Sequence, residues 1–239
     1  MKKMLVISVL CLFTLTGCLY PDERLVQNQI PYEDQIASVQ SAVNQYREAN
    51  SGLLPIQDRD METPIYQKYP INFNKIIPRY LQEPPSSAFE SGGIFQYVLL
   101  DVETNPTVKL IDLRHADIIR DIKTRIYVYK RSNGYPPFEK MIVENVFTVD
   151  FKKLGYDEPP HAVSPYSGNN LPFVIDGKGE IYIDYSIDLY KLLQENKHHF
   201  KHGEDIRPIL YENSPIIPAY SLPYTVENNE PVFFVTNKY

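Results

Sequence analysis

Two segments of the chain carry the same apolar pattern at a constant separation. The first set lies at positions i, i+3, i+7 and i+10 and consists of Ile36, Val39, Val43 and Tyr46. The second set lies 83 residues later and consists of Ile119, Ile122, Ile126 and Tyr129. This spacing places each set along one face of an α-helix. The sequence therefore predicts two similar amphipathic helices, and a fold built on a repeated unit.

The segments that follow the two stripes are also similar. Each stripe ends at a glycine with a proline shortly after it, at Gly52 and at Gly134. Strand-like runs then occur in pairs, at 95–100 with 108–113 and at 171–175 with 180–185. The second pair is joined through Asp176-Gly177, which is typical of a tight hairpin turn. We therefore predict an α+β fold in which 33–113 and 117–185 are two copies of a helix-plus-small-antiparallel-sheet unit.

A further helix and an extended segment are predicted after the two units. The helix is expected from Asp184 to Lys201, closed by Gly203, with these residues facing inward: Ile187, Leu189, Tyr190, Leu192 and Leu193. The chain from 204 to 239 is punctuated by prolines and interleaved with Tyr211, Tyr220 and Tyr224, which indicates extended chain packed on the surface. A final edge strand is expected at 231–236, because proline suits the start of such a strand.

The N-terminus has the pattern of an export signal. Lys2 and Lys3 precede an apolar run from Met4 to Leu15, which is shorter than the roughly 20 residues that a spanning helix needs. The run ends in Leu15-Thr16-Gly17-Cys18, a match to the lipobox of lipoprotein signal peptides. We therefore predict a signal peptide over 1–17, lipidation (diacylglycerol with acyl chains such as palmitate) at Cys18, and a lipidated tether over 18–31. A diacyl anchor supplies two chains, enough for stable membrane attachment.

Removal of this signal has chemical consequences for the mature chain. Cys11 leaves with the signal and Cys18 carries lipid, so no thiol is left for a disulfide, a nucleophile or a metal site. The loss of Lys2 and Lys3 makes the net charge more negative than the −6 of the full chain. This charge argues against nucleic acid as a partner. The expected location is the cell membrane, lipid-anchored on its outer, extracytoplasmic face.

The predicted domain boundaries follow from these patterns. After the signal and tether, the first helix-plus-sheet unit is expected at 32–115. The second unit with its following helix is expected at 116–203. The extended C-terminal segment, 204–239, is expected to pack on the domain.

Two resemblances accompany these patterns. The segments Tyr129–Pro137, Ser164–Gly168 and Leu171–Phe173 resemble the globular domains of type II secretion pseudopilins. The chain has no prepilin leader and no long apolar N-terminal helix, so this likeness implies no pilus-like assembly. The lipobox start and the general layout resemble the YphF-type lipoproteins of Gram-positive bacteria. That resemblance implies a location in the cell envelope and no mechanism.

The clearest candidate for chemistry is a histidine cluster at 195–205. His198 and His202 are spaced i, i+4, as zinc ligands on one helix face are, and His199 lies between them. The cluster lacks the glutamate between histidines that a metalloprotease uses, and its lysines and histidines also suit the C-terminus of a helix. We therefore predict no tight metal site, with these three histidines as the candidates.

Other motifs have simpler interpretations. The run from Asp176 to Glu180 lacks the later ligands of a calcium loop. Five carboxylates next to predicted helix starts are interpreted as capping and first-turn charges: Asp112, Asp117, Asp121, Asp184 and Asp188. No nucleophile elbow, phosphate loop or dinucleotide fingerprint is present. The 19 tyrosines could present an aromatic surface to a peptide or glycan, or serve only as half-buried strand residues.

The function expected from these features is binding rather than catalysis. We expect a non-catalytic envelope lipoprotein that binds or scaffolds another protein or a wall component, without a cofactor. The first alternative is the solute-binding lipoprotein of an ABC transporter, with a ligand between the two units. The second alternative is an envelope hydrolase whose site residues are dispersed along the sequence.

Overall fold

The computed structural model describes residues 32–195 and 200–234. The predicted signal, the lipobox and Cys18 lie outside these residues. The fold is α+β, with five helices and small antiparallel sheets in the described part of the chain. Within the same residues, none of the helices has the length and apolar character needed to cross a membrane.

The first half of the chain begins with a helix that the apolar stripe predicted. Helix α1 spans Tyr32–Ala49 and buries Val39 and Val43 against the core. After its end, the amide of Gly52 donates to the carbonyl of Arg47. Gly52 has a φ of 88°, a left-handed conformation that glycine adopts without a steric cost. The predicted helix and its stop signal are therefore confirmed.

A hairpin forms the centre of the first half. Strands β1 (Phe95–Leu100) and β2 (Thr107–Asp112) are antiparallel, as their sequence pattern predicted. Beside β1, an isolated bridge joins Pro70 to Val98, and a further bridge joins Ile56 to Ile71. The short helix α2 (Phe73–Ile76) and the 3-10 turns Ile65–Gln67 and Phe89–Ser91 complete this half. Its core therefore lies between α1 and the inner face of the hairpin.

The second half also begins with a helix that an apolar stripe predicted. Helix α3 (Ala116–Asn133) buries Ile119, Ile122 and Ile126, and ends at Gly134 in a left-handed conformation. A four-stranded sheet in the order β3-β4-β7-β8 follows, formed by the strands Phe138–Val143, Val146–Val149, Phe173–Asp176 and Ile181–Ile183. The 3-10 turn Phe151–Leu154 and the pair β5 (Ala162–Val163) with β6 (Asn170–Leu171) connect its inner strands. This sheet packs on α3 around the second core.

The chain after the second hairpin departs from prediction in several places. Helix α4 spans Ser186–Glu195, and residues 200 and 201 are not helical, so the prediction of a helix to Lys201 was wrong there. Leu189 and Leu193 are buried as expected, whereas Ile187 and Tyr190 are each 48% exposed. A ten-residue helix resting on one surface buries a single narrow stripe, so its flanking apolar side chains stay in solvent.

The C-terminal segment is more regular than predicted. Pro208–Tyr211 forms the short helix α5, because proline at the first helical position needs no hydrogen-bonded amide. The predicted last strand is β10 (Glu230–Phe233), and it pairs with β9 (Tyr224–Glu227). Asn228 and Asn229, both at positive φ, form the two-residue turn between them. The last strand is therefore one arm of a hairpin.

The segment between α5 and β9 contacts both halves of the chain. Its backbone pairs with β2, where Leu110 N donates to Pro215 O and Ile217 N donates to Leu110 O. Five residues after Pro215, the carbonyl of Tyr220 accepts from Ile183 N on β8. The same stretch of chain therefore joins the hairpin of the first half to that of the second.

Candidate binding site

An open cleft of about 450 Å³ lies where the C-terminal segment meets the first half. Its walls come from three parts of the chain. These are the 3-10 turn Ile65–Gln67 with Tyr69 after it, the β1–β2 turn, and helix α5 with Asp205 before it. The lining side chains are mostly aromatic or acidic: Tyr66, Tyr69, Tyr211, Asp101, Glu103 and Asp205. Ile65, Leu100, Val102, Thr104 and Pro208 complete the lining. The cleft is therefore a mixed apolar and anionic surface.

The acidic rim is set by the turn between β1 and β2. Asp101 has a φ of 51°, and its carbonyl accepts hydrogen bonds from the amides of Thr104 and Asn105. This tight turn holds Asp101 and Glu103 in exposed positions at the cleft. In the described part of the chain, neither carboxylate makes an ion pair within 4.0 Å. Both remain available to a ligand.

The third carboxylate, Asp205, is paired within the protein. Both of its oxygens accept from the guanidinium of Arg207, with a shortest distance of 2.6 Å. Arg207 is buried, donates also to the carbonyl of Ser221, and lies 4.8 Å from the centre of the Tyr66 ring. This ion pair fixes the position of Asp205 at the cleft. Because Arg207 compensates its charge, Asp205 attracts a charged ligand only weakly.

Two tyrosines form the aromatic wall. The rings of Tyr66 and Tyr211 meet edge to face at 5.8 Å. Burial raises the pKa of the Tyr66 hydroxyl, although the nearby Arg207 lowers it. Burial also raises the pKa of Tyr211, the hydrogen bond with Tyr66 lowers it, and the negative charges of Asp101 and Asp205 raise it further. Both phenols therefore stay neutral at physiological pH, and their hydroxyls are hydrogen-bonded to each other.

Lys109 on β2 supports this wall from behind. Its ammonium donates to the carbonyls of Tyr211 and Ser214 at 3.0 and 2.9 Å and lies 5.4 Å from the centre of the Tyr211 ring. Burial lowers the pKa of Lys109, while the charge of Asp101 raises it. Because two of its three N–H groups donate to backbone carbonyls, Lys109 holds α5 in place, while its charge acts on Asp101.

A second polar cluster is buried where α4 meets the loop before β6. Asp188, in the first turn of α4, accepts hydrogen bonds from the hydroxyls of Ser164 and Ser167. Nearby, the ring nitrogen Nε2 of His115 lies 2.9 Å from the carbonyl of Val163. Ser164, Asp188 and His115 are buried, whereas Ser167 is half-buried. Their arrangement fixes the path of the loop.

The predicted site residues are only partly within the described chain. Cys18, His198 and His199 lie outside it. His202 is exposed, is not on a helix, and its ring meets that of Phe234 edge to face at 6.4 Å. The i, i+4 helical geometry inferred for His198 and His202 is therefore wrong at His202, because the helical conformation is not continuous to that residue. No group of three or more potential metal ligands occurs within residues 32–195 and 200–234.

The interpretation of the other acidic motifs can be followed residue by residue. Asp112 and Asp184 each accept a hydrogen bond from the amide two residues later, at the entries to α3 and α4. Asp117 and Asp188 lie in first turns, whereas Asp121 lies farther along α3 and binds Arg125 and Tyr156. The hairpin turn after Asp176 is confirmed. One carboxylate oxygen of Asp176 accepts from the amides of Lys178 and Glu180.

Most cleft residues were missed by the sequence analysis. Of the tyrosines noted in the C-terminal segment, Tyr211 lines the cleft, whereas Tyr224 is buried in the core. No local pattern distinguishes Tyr66, Asp101 or Glu103. The positive φ at Asp101 and the pairing of distant segments place them together, and neither is visible in a linear sequence.

A known family matches the N-terminal part of the described chain. Residues 32–112 match the YphF family N-terminal domain. This region of the chain is similar to that family. The match runs from the start of α1 to the end of β2, so the YphF-like region includes Tyr66, Asp101 and Glu103 of the cleft. No curated protein and no solved structure matches the chain, and the likeness to pseudopilin domains stays a prediction.

Proposed function

We propose that the protein is a lipid-anchored binding protein of the cell envelope. Diacylglycerol on Cys18 attaches it to the outer face of the membrane, and residues 19–31 form a short tether. The folded domain then binds another envelope protein or a wall component through the tyrosine-lined cleft. Support for the anchor comes from the lipobox in the sequence, and support for the binding role comes from the cleft.

The observation that carries the binding role is the chemistry of the cleft lining. Neutral tyrosines, short apolar side chains and exposed carboxylates suit recognition of a polar ligand that also has apolar surface. Tyrosine contributes contact area at a low cost in side-chain entropy. Catalysis would need a nucleophile held by a base in an accessible site. In the described chain, Ser164, whose hydroxyl donates to the carboxylate of Asp188, is buried instead.

We further propose that the two halves derive from one duplicated unit. In the first half, Pro70 bridges to β1 and Ile56 bridges to Ile71. In the second half, β4 pairs with β7 and β3 pairs with β4 in the same relative order. The strand pairs of the first half would then be a shorter version of the four-stranded sheet of the second half. Hydrogen exchange tests whether this shorter sheet is present: the amides of Ile71 and Leu99, bonded across these strands, should be protected like those of β4.

Photo-crosslinking in living cells tests the binding role. A benzophenone amino acid replaces Thr104 at the cleft or, as a control, the exposed Lys152 in the second half. Adducts with wall material or a specific envelope protein should form from position 104 and be lost when Tyr211→Ala is added. Equal adducts from both positions, or none from 104 in correctly anchored protein, would overturn the proposal. Capture of a transporter permease together with solute-dependent thermal stabilisation would favour the solute receptor instead.

A further inference from the structure

We infer that the cleft receives a positively charged group on an apolar stem, such as a lysine side chain of a peptide. This inference rests on the proposed binding function and specifies the chemistry of its ligand. It depends on three features of the cleft: the sign of its charge, the placement of its aromatic rings, and the engagement of the neighbouring cations within the protein.

The charge of the lining has one sign. Its ionisable carboxylates are Asp101, Glu103 and Asp205, and no lysine, arginine or histidine is among the described lining residues. Arg207 compensates Asp205 directly. Asp101 and Glu103 therefore give the mouth a net negative field, which attracts cations and repels carboxylate or phosphate ligands.

Cations of the protein itself already contact the aromatic rings of the cleft. Arg207 lies 4.8 Å from the centre of the Tyr66 ring, and Lys109 lies 5.4 Å from that of Tyr211. Both contacts are within the distance at which a cation is attracted by a tyrosine ring. Tyr69, at the cleft wall, has Lys68 at 5.7 Å from its ring centre. Tyr66 is buried, whereas Tyr69 and Tyr211 are half-buried, so a ligand ammonium at the mouth would meet the exposed parts of these two rings together with two exposed carboxylates.

The apolar part of the lining suits the stem that carries such a charge. Ile65 is 54% exposed, and Leu100, Val102 and Pro208 continue the apolar surface. A lysine side chain packs its methylene groups on surfaces of this kind while its ammonium remains near carboxylates. Another groove, along α3, is different, because it is lined by the cations Arg120 and Lys123, which are paired with Asp117 and Glu180.

Peptide binding to the full lipidated protein in zwitterionic nanodiscs tests the inference. Three fluorescent hexapeptides with the sequence Gly-Ala-X-Ala-X-Gly carry Lys, Gln or Glu at X, and binding is followed by anisotropy. The Lys peptide should bind about tenfold more tightly than the Gln peptide, a ratio that one ion pair with a cation–π contact can supply. The Glu peptide should bind more weakly than either, and added salt should reduce the difference.

Variants assign the effect to the cleft. The double variant Asp101→Asn with Glu103→Gln should bring the Lys peptide to the affinity of the Gln peptide, with thermal unfolding unchanged. Asp117→Asn, an exposed carboxylate on α3, is the matched control and should leave all three affinities unchanged. Equal affinities of the Lys and Gln peptides, or Lys binding that survives the double variant, would overturn the charge preference. The proposed function would still stand in that case if the position-104 crosslinks persist.

Discussion

The carboxylate of Asp188 accepts a 2.6 Å hydrogen bond from the hydroxyl of Ser164, and both residues are buried. The hydroxyl of Ser164 in turn accepts from the amides of Tyr166 and Ser167. The carboxylate also accepts from Ser167, so it holds two points of the loop before β6. One side chain in the first turn of α4 thus sets the path of a loop that lies about twenty residues earlier in the sequence.

Loss of this hydrogen bond should destabilise the protein. Ser164→Ala leaves the buried carboxylate with one donor fewer, and we expect a cost of about 1–3 kcal/mol in the free energy of unfolding. Asp188→Asn should cost a similar amount, because an amide presents only one acceptor oxygen to the two hydroxyls. Urea denaturation measures both, with the exposed Asp117→Asn as control. A double-mutant cycle with no coupling would contradict the role assigned to the pair.

Truncation of a side chain on the buried stripe of α3 should lower the free energy of unfolding far more than truncation of one on the exposed face of α4. Ile122 is fully buried, so Ile122→Ala should cost about 2–5 kcal/mol through lost burial and a residual cavity. Ile187→Ala removes the same atoms from a side chain that is 48% exposed and should change stability by about 0.5 kcal/mol or less. Denaturant midpoints compare the two variants. Similar losses would contradict the observed packing.

The ammonium of Lys109 should hold the C-terminal segment against β2. Lys109→Met removes the hydrogen bonds to the carbonyls of Tyr211 and Ser214 and should cost about 1.5–3 kcal/mol, the range for charged donors. Hydrogen exchange at Ile217 N, which donates to Leu110 O, should accelerate. The matched control is Lys191→Met, which alters an exposed lysine on α4. Unchanged exchange at Ile217 would show that the segment is held by other contacts.

His115 should make stability fall at mildly acidic pH. Burial lowers its pKa, although the charge of Asp112 and the contact with Val163 O raise it. The folded state binds the proton of His115 less readily than the unfolded state does. The full contribution of neutral His115 to the free energy of unfolding is therefore present above the unfolded pKa of about 6.5, and it is lost as the pH falls through the folded pKa. His115→Gln keeps a donor for Val163 O and should reduce the change in Tm between pH 7.5 and 5.5. The exposed His161→Gln should leave that change as it is.

The anchor prediction concerns residues outside the described structure. Cys18→Ser removes the thiol that the lipobox presents for lipidation. The variant should therefore accumulate as precursor or appear in the soluble fraction. Membrane fractionation and the mass of the N-terminal fragment measure this outcome. Unchanged processing and membrane association would contradict the lipoprotein interpretation.

The sequence predicted the regular elements where their signals are local. The stripes of α1 and α3, the stops at Gly52 and Gly134 and the hairpins β1–β2 and β7–β8 were readable because helical and strand periodicities depend on near neighbours. The hairpin of β3 and β4 was not predicted. Prediction was poorer in the chain after 184, where Ile187 and Tyr190 were expected inside. Their burial depends on how wide a surface α4 meets, and that surface is made by distant residues.

The candidate site was decided by tertiary structure alone. Three segments around Tyr66, Asp101 and Tyr211 converge because the C-terminal segment pairs with β2 and is held there by Lys109. The sequence by itself determined which residues can form helices and strands, and which side chains carry charge. Which carboxylates are compensated and which face solvent depends on contacts between residues far apart in the sequence, such as Lys109 with Tyr211. Such contacts leave no periodic pattern in a sequence, because each is made once, by the folded chain as a whole.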